Sequence, residues 1–142
     1  ETFKLESGKK TWMKCRISVG DAAQSDWLVG LHSRDTTPHD ATLRYIFESV
    51  DGSANVYFNN DNDTTDSDSS TLVTLTDDTF VTLAAYYDGG TSIQLFVDDA
   101  SVTTMTGITV PAAEMAVGFG YINGAAGAET ADFDYIYVIK ER

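Results

Sequence analysis

The sequence predicts an all-β protein made of two packed antiparallel sheets, that is, a β-sandwich. About ten or eleven short segments alternate apolar and polar residues, which is the period of a strand with one buried face. No stretch of a dozen residues has a helical period, and Gly, Pro and Asp-Gly pairs separate the segments. A chain of 142 residues fits one domain, here residues 1–142.

The central element is a predicted three-stranded meander over residues 80–105. Residues 80–87 are rich in β-branched and aromatic side chains, and Asp88-Gly89-Gly90 is a tight-turn signal. Residues 92–97 alternate cleanly, and Asp98-Asp99 predicts a second turn before a strand at 101–105. Short turns between consecutive strands predict antiparallel neighbours.

The strands before the meander are predicted at residues 3–6, 11–19, 26–33, 41–50 and 54–59. In the second of these, Met13, Cys15 and Ile17 share a core face and Trp12 lies on the opposite, polar face. Residues 26–33 are apolar on both faces, which predicts a central strand covered on both sides. In 41–50, the pattern points Leu43, Tyr45 and Phe47 inward and Arg44 and Glu48 outward.

The remaining segments are an exposed loop and three strands. Residues 59–70 contain no apolar residue, so we expect an exposed loop or tip. Strands are predicted at 70–76, 114–122 and 129–139. Gly118 and Gly120 share one face, which leaves room for another backbone or a bulky ring to approach. In the last strand, Phe133, Tyr135 and Tyr137 are expected on one face.

The charge of the chain excludes several classes of partner. With 22 acidic and nine basic residues the net charge is −13, which argues against nucleic acid or an anionic membrane as the main partner. No apolar run approaches the roughly 20 residues that cross a bilayer, and no signal peptide opens the chain. The start at Glu1 without Met suggests that a segment precedes it. Cys15 is the only cysteine, so no internal disulfide is expected, and it is interpreted as a small buried hydrophobe.

Three stretches resemble concanavalin A-like, or laminin-G-like, jelly-roll domains of tailed-phage virion proteins. They are the meander FVTLAAYYDGG with TSIQLFVDD, the opening FKLESGKKTWMKCRI, and the strand and loop WLVGLHSRDTTP together with the ending DYIYVIKER. The resemblance implies a virion component, in particular a capsid decoration or cement protein. It would bind the major capsid protein on the capsid exterior and stabilise the assembled shell.

The distribution of basic residues suggests where such a protein would attach. Five of the nine bases lie in the first 16 residues, and two close the chain. In jelly rolls of this kind the first and last strands tend to lie close together. The hypothesis is therefore one cationic edge facing the capsid, formed by Lys9, Lys10, Lys14, Lys140 and Arg142.

The sequence offers little support for an enzyme. Sugar-cleaving relatives of the fold place three acids at period two on one strand, and the nearest match here is Glu129, Asp132 and Asp134, with Glu129 out of phase. The two histidines do not complete a nucleophile triad or a zinc site. His32 lies in an apolar strand and is interpreted as a structural residue, and His39 as a solvated loop residue. We therefore expect no catalytic residues and no required cofactor.

A calcium site is a secondary hypothesis. Asp61, Asp63, Asp66 and Asp68 supply hard oxygen atoms at a suggestive spacing. The loop lacks the glycine and the final glutamate of an EF-hand, and clustered Asp with Ser, Thr and Asn is also typical of a solvated tip. A plain loop is the favoured interpretation.

Two further functions stay open. A lectin-like, carbohydrate-binding module on a phage fibre or a secreted protein is the main alternative, and its site would need exposed aromatic side chains that converge. Trp12, Tyr86 and Tyr121 are the candidates, but the sequence does not show that they meet. Self-association into dimers or trimers through exposed strand edges is the third possibility.

Overall fold

A computed structural model describes residues 2–124 and 126–142. These residues form eleven strands and one short 3-10 helix, Pro38–Asp40. The strands are β1 Thr11–Val19, β2 Ser25–His32, β3 Leu43–Ser49, β4 Asn55–Asn62, β5 Asp66–Asp68, β6 Val73–Thr74, β7 Val81–Tyr87, β8 Ser92–Val97, β9 Ala100–Thr106, β10 Ala116–Asn123 and β11 Ala131–Lys140. No helix among the described residues is long and apolar enough to cross a membrane.

The strands form two antiparallel sheets, which confirms the predicted fold class. One sheet has five strands in the order β11-β1-β7-β8-β9. The other has the order β10-β2-β3-β4-β5, with β6 also paired to β4. The first and last strands lie side by side, Thr11 opposite Lys140.

Alternation along each strand produces the core between the sheets. In β1 the inward residues Met13, Cys15 and Ile17 are fully buried, as the sequence predicted. The facing sheet contributes Tyr45 and Phe47 from β3, both also fully buried. Because the apolar side chains of both inner faces leave water together, this layer is the main source of stability.

The predicted meander is present as β7, β8 and β9. Asp98 and Asp99 both have positive φ, 48° and 66°, at the turn between β8 and β9. Two consecutive residues with positive φ match the twist of a two-residue hairpin. The sequence signal for a tight turn is therefore confirmed at this position.

Three predicted segments differ in the structure. Residues 59–70 are not a simple exposed loop, because β4 continues to Asn62 and pairs with β5, and Asn59 and Asn60 are buried. Residues 3–6 form only one bridge, Phe3 to Met115. The strand predicted at 70–76 shrinks to the two residues of β6.

A register shift between β1 and β11 corrects the predicted face of the last strand. The shift falls between Arg16 and Ile17. Tyr135 then lies opposite Arg16 on the outer face, whereas Phe133 lies opposite Ile17 and packs against the core. The expectation that Phe133 shares a face with Tyr135 and Tyr137 is therefore wrong, and the extra residue of the bulge is the reason.

The outer surface of β2 is covered, as its apolar pattern predicted. Leu28 and Ile46 are fully buried although both face away from the core layer between the sheets. The segment that carries the 3-10 helix folds back over β2 and β10. A side chain at Gly118 would overlap the His32 ring, and one at Gly120 would press against the His39 ring. The prediction that these glycines make room for a ring is confirmed.

Candidate functional site

The outer face of the five-stranded sheet carries an unusual concentration of large apolar side chains. We call it the aromatic face, and it consists of Trp12, Tyr86, Phe96, Tyr135, Tyr137 and Ile139. Tyr137 is 41% exposed and Ile139 is 63% exposed. Such a surface on the outside of a sandwich indicates a contact site, because an outward sheet face is usually polar.

Strand register brings these side chains together. Trp12 lies opposite Tyr86 of β7 on one side and Ile139 of β11 on the other. The Trp12 ring centroid is 5.8 Å from that of Tyr86 and 5.2 Å from that of Phe96, and both pairs are tilted. Tyr135 and Tyr137 stack with their centroids 5.8 Å apart. Trp12 is therefore the centre of one group of rings, and Tyr135 and Tyr137 form a second group on the same face.

Small and charged residues fill the space between the rings. Ala84 lies opposite Lys14 and is almost fully buried, so it leaves room for the neighbouring side chains. Lys14 Nζ lies 2.5 Å from Asp99 Oδ1, and the hydrogen bond from this carboxylate raises the pKa of Lys14. Arg16 binds Asp134 at 2.7 Å. The face thus combines aromatic rings with fixed ionic groups.

Two further polar contacts border the aromatic face. Arg16 also lies over the Phe80 ring, 4.1 Å from its centroid, a cation–π contact. At the opposite side of the face, Gln94 Nε2 donates to Ser101 Oγ at 3.0 Å. Amide, hydroxyl and ionic groups therefore border the rings.

Only two of the three aromatic candidates from the sequence converge. Trp12 and Tyr86 are neighbours on the aromatic face. Tyr121 lies on the inner side of β10, packs against the core and approaches Ser25 Oγ with its hydroxyl at 3.3 Å. Sequence reasoning missed Phe96, Tyr135 and Tyr137 as members of the site, because strand register decides which outward residues become neighbours.

A second cluster, the polar face, lies on the outer side of the six-stranded sheet. Arg44 Nη2 contacts Asp61 at 3.1 Å and Asp66 at 3.6 Å. Asn59 Nδ2 donates to both Asp66 and Asp68 at 2.7 Å. Glu48 lies beside this group, and burial raises its pKa to about 7, with a further increase from the Asp68 and Asp66 charges.

The contacts in the polar face involve aspartates of the proposed calcium loop. Asp61 and Asp66 face the Arg44 guanidinium, and Asp68 accepts from the Asn59 amide. The Asp63 backbone N–H donates to Asp61 Oδ1. Across residues 2–124 and 126–142, no group of three or more His, Cys, Asp or Glu side chains is placed to hold a metal. This geometry gives the calcium hypothesis no support, and it stays a prediction.

The titratable residues considered for catalysis are dispersed. His32 Nδ1 lies 2.8 Å from the Ser33 carbonyl oxygen and the ring is buried, which agrees with the structural role predicted. His39 is not solvated as expected, because its side chain is only 16% exposed and lies 3.3 Å from Asp26. Cys15 is fully buried, and burial raises its thiol pKa to about 12.

The three acidic residues at and just before the last strand have different surroundings. Glu129 precedes β11 and lies near Gly20, and Asp134 is engaged with Arg16. Asp132 lies opposite Ser18 and is exposed. Because Glu129 lies before the strand, the three positions do not repeat at period two along β11 as the acids of sugar-cleaving relatives do.

The termini bring four of the five candidate capsid-contact residues to one edge. Lys9 Nζ donates to the Arg142 carbonyl oxygen at 2.5 Å, and the Lys10 backbone N–H donates to Glu141. Lys140 forms an ion pair with Glu6. Lys14 lies instead on the aromatic face. Acidic partners therefore interrupt the cationic edge that the sequence predicted.

Comparisons with known proteins show the fold but no family. No protein-family model matches the chain, and no curated protein matches it. Solved structures do match. The marine PL7 alginate lyase AlyA1 from Zobellia galactanivorans superposes with a TM-score of 0.53 at 17% identity, over 99% of this chain and 65% of the lyase. This chain therefore spans just under two-thirds of that enzyme.

Two other matches have a similar strength. The galectin LEC-6 from Caenorhabditis elegans gives a TM-score of 0.54 at 14% identity, over 98% of this chain and 89% of the galectin. A conserved carbohydrate esterase from the Shiga toxin-encoding bacteriophage phi24B gives 0.51 at 18% identity, over 94% and 68%. These likenesses establish a jelly-roll sandwich shared by lectins and lyases, and at these identities they establish the fold alone.

Proposed function

We propose that the protein is a non-catalytic carbohydrate-binding module whose ligand lies on the aromatic face. The observation that carries the proposal is the meeting of Trp12, Tyr86 and Phe96 on one outward surface. Two of these three residues were already candidates for an aromatic sugar platform. The three side chains are partly exposed, and their rings meet, which the sequence alone could not show.

The chemistry of the face fits a sugar ligand. The C–H groups on one side of a pyranose ring form a flat apolar surface that packs against an aromatic ring, which presents a negative π face. The hydroxyl groups around the sugar then need hydrogen-bond partners. Gln94, Lys14 and Asp99 border the rings and supply an amide, an ammonium and a carboxylate.

The net charge of the protein indicates which class of carbohydrate it binds. The protein has a net charge of −13, and the two basic side chains on the aromatic face are both paired with carboxylates. An acidic polysaccharide would be repelled by this field, most strongly at low salt. The proposed ligand is therefore a neutral glycan, although one of the structural matches is an alginate lyase.

The structural matches give secondary support to a carbohydrate-binding function. The proteins that share the sandwich include a galectin, an alginate lyase and a carbohydrate esterase, and all three names refer to sugars or sugar binding. Because a fold hosts many functions, this support is an analogy. The carbohydrate-binding proposal rests on the aromatic face.

A glycan array with purified protein tests the proposal. We expect binding to one or more neutral glycans, and we expect Trp12→Ala to abolish it. Tyr57→Ala is the matched control, because Tyr57 is a partly exposed aromatic residue on the outer side of the other sheet. Array signals that Trp12→Ala leaves unchanged, or no signal with any glycan, would refute the proposed site.

Attachment to a phage capsid is the second candidate function, and one observation favours it. Lys9, Lys10, Lys140 and Arg142 lie together where β1 and β11 pair. An attached protein would stabilise the assembled shell by mass action, because it binds neighbouring subunits of the major capsid protein only when they are assembled. Acidic partners beside Lys10 and Lys140 weaken this edge.

A charge-reversal variant tests this candidate. Changing Lys9, Lys10 and Lys14 together to Glu should lower occupancy on phage particles, most at low salt, where screening is least. Arg34→Glu serves as a control for the same type of charge change, because Arg34 is exposed in the loop that follows β2, away from the terminal edge. Equal occupancy of the triple variant and wild type would remove the terminal edge as a capsid contact.

A further inference from the structure

The four outer edges of the two sheets are not equally protected against pairing with another strand. Edge strands present unpaired backbone groups, and soluble proteins block them with charges, bulges or short length. β5 has three residues, two of them Asp. β9 contains a register shift at its pairing with β8, and β11 contains Asp132 and Asp134.

β10 has none of these devices. Its eight residues, AVGFGYIN, include no charge and no proline. It pairs with β2 in one continuous register from Ala116 to Asn123. Phe119 is 59% exposed and Ile122 is 48% exposed, in a chain whose net charge is −13. Within the described residues β10 is thus a regular, uncharged and apolar edge.

Hydrogen bonds at the two ends of β10 show which backbone groups point outward. Met115 donates to and accepts from Phe3 at 2.7 Å on the side away from β2. The Gly124 N–H donates to Gln24 beside β2 at 2.8 Å. Because successive residues of a strand point their backbone groups to opposite sides, Val117, Phe119 and Tyr121 direct theirs to the open edge.

We propose that a second copy of this chain pairs with the β10 edge across a two-fold axis and joins the two six-stranded sheets into one. Residues on the same face must oppose each other in a continuous sheet. Across the axis, odd-numbered residues therefore pair with odd-numbered residues and even-numbered with even-numbered. With Phe119 opposite Phe119, the end of the second β10 would reach Met115, which Phe3 already occupies. Moving the second copy by two residues places Phe119 opposite Tyr121 and avoids that contact.

This register joins apolar groups as well as backbone groups. Phe119 of each copy faces Tyr121 of the other, which adds two aromatic cross-strand pairs. Gly120 lies opposite Gly120 of the second copy, so no side chains collide at the axis. The Phe119 ring already packs on Phe133 at 4.5 Å, and the second copy would cover the exposed side of that pair.

The charge of the chain sets the expected salt dependence. Each copy carries −13, so two copies repel each other at long range, while the β10 edge itself is neutral. Added salt screens the repulsion and leaves the apolar and backbone contacts unchanged. Dimerisation should therefore strengthen as the salt concentration rises.

Sedimentation equilibrium at several protein concentrations tests the proposal. We expect a monomer–dimer equilibrium for the wild-type chain and a dissociation constant about tenfold higher or more for Phe119→Lys. Val102→Lys is the matched control, because Val102 is a 44% exposed hydrophobe on the bulged edge strand β9. A wild-type chain that stays monomeric up to about 1 mM, or equal effects of the two variants, would overturn the proposal.

A second measurement tests the register and does not depend on the lysine variant. Phe119→Cys and Tyr121→Cys are prepared separately, mixed and oxidised. We expect a disulfide-linked heterodimer in the mixture and little crosslinking in either variant alone, because the buried Cys15 does not react. Equal crosslinking in all three samples, or none in the mixture, would contradict the proposed pairing.

Discussion

Trp12 and Tyr86 lie directly opposite each other on neighbouring strands, with ring centroids 5.8 Å apart and ring planes inclined by 50°. Neither ring belongs to the core between the sheets. The pair is therefore retained on the outside of the sandwich, at the centre of the aromatic face.

The two tryptophans should contribute very differently to stability. Trp27 is fully buried, so Trp27→Ala should lower the free energy of unfolding by about 3–5 kcal/mol. Trp12 packs only on surface rings, so Trp12→Ala should cost about 1 kcal/mol. Urea unfolding followed by circular dichroism measures both values. Equal losses would mean that Trp12 is a folding residue and not a ligand contact.

Glu48 should make stability fall as the pH rises from about 4.5 to about 7. Burial raises its pKa from 4.5 to about 7, so between these values the folded state keeps a proton that the unfolded state has lost. The contribution of Glu48 to stability is thus present below about pH 4.5 and lost by about pH 7, an effect of about 3 kcal/mol.

Glu48→Gln should remove this dependence. We expect the variant to gain stability relative to wild type as the pH rises from about 4.5 to about 7, measured as the difference in the free energy of unfolding. Other carboxylates titrate equally in both proteins and cancel in the difference. A difference that stays constant with pH would show that Glu48 is ionised throughout.

Cys15 should be inert in the folded protein. Its side chain is fully buried and its thiol pKa is raised to about 12, so almost no thiolate is present near neutral pH. Iodoacetamide should modify it only after denaturant is added, as mass spectrometry would show. Rapid modification of the native chain would indicate that β1 opens easily.

Gly30 is the position where the backbone tolerates a side chain least. It has a φ of 153°, and an added Cβ would lie 2.4 Å from the Tyr45 carbonyl oxygen. Gly30→Ala should lower the melting temperature strongly, by about 10 °C or more. Gly127→Ala is the control, because an added Cβ there meets no atom within 4 Å. Similar melting temperatures for the two variants would contradict the close packing of β2 on β3.

Alternation along single strands could be predicted from the sequence, and most of the fold follows from it. The inward residues of β1 and β3 were predicted correctly, because each strand's pattern is local. The partners of each strand were not predictable in the same way. Trp12 and Tyr86 are 74 positions apart, 86 − 12, and only the register of β1 with β7 makes them neighbours.

Polar residues account for the main differences between the predicted and the observed structure. The stretch at residues 59–70 looked like a loop because it has no apolar side chain, yet Asn60 is buried and donates to the Thr109 carbonyl oxygen at 3.0 Å. A hydrogen-bonded amide is tolerated in the interior, and hydropathy does not detect this. His39 was misjudged in the same way, because its contact with Asp26 forms only when the 3-10 segment folds back over β2.

The most direct test of the proposed function uses the two indole N–H signals in a 1H–15N NMR spectrum. Trp12 lies on the aromatic face and Trp27 is buried in the core, so Trp12→Phe assigns the two signals. Titration with a neutral oligosaccharide selected on the glycan array should shift the Trp12 signal and leave the Trp27 signal in place. A saturating titration that moves only the Trp27 signal, or neither signal, would contradict carbohydrate binding at the aromatic face.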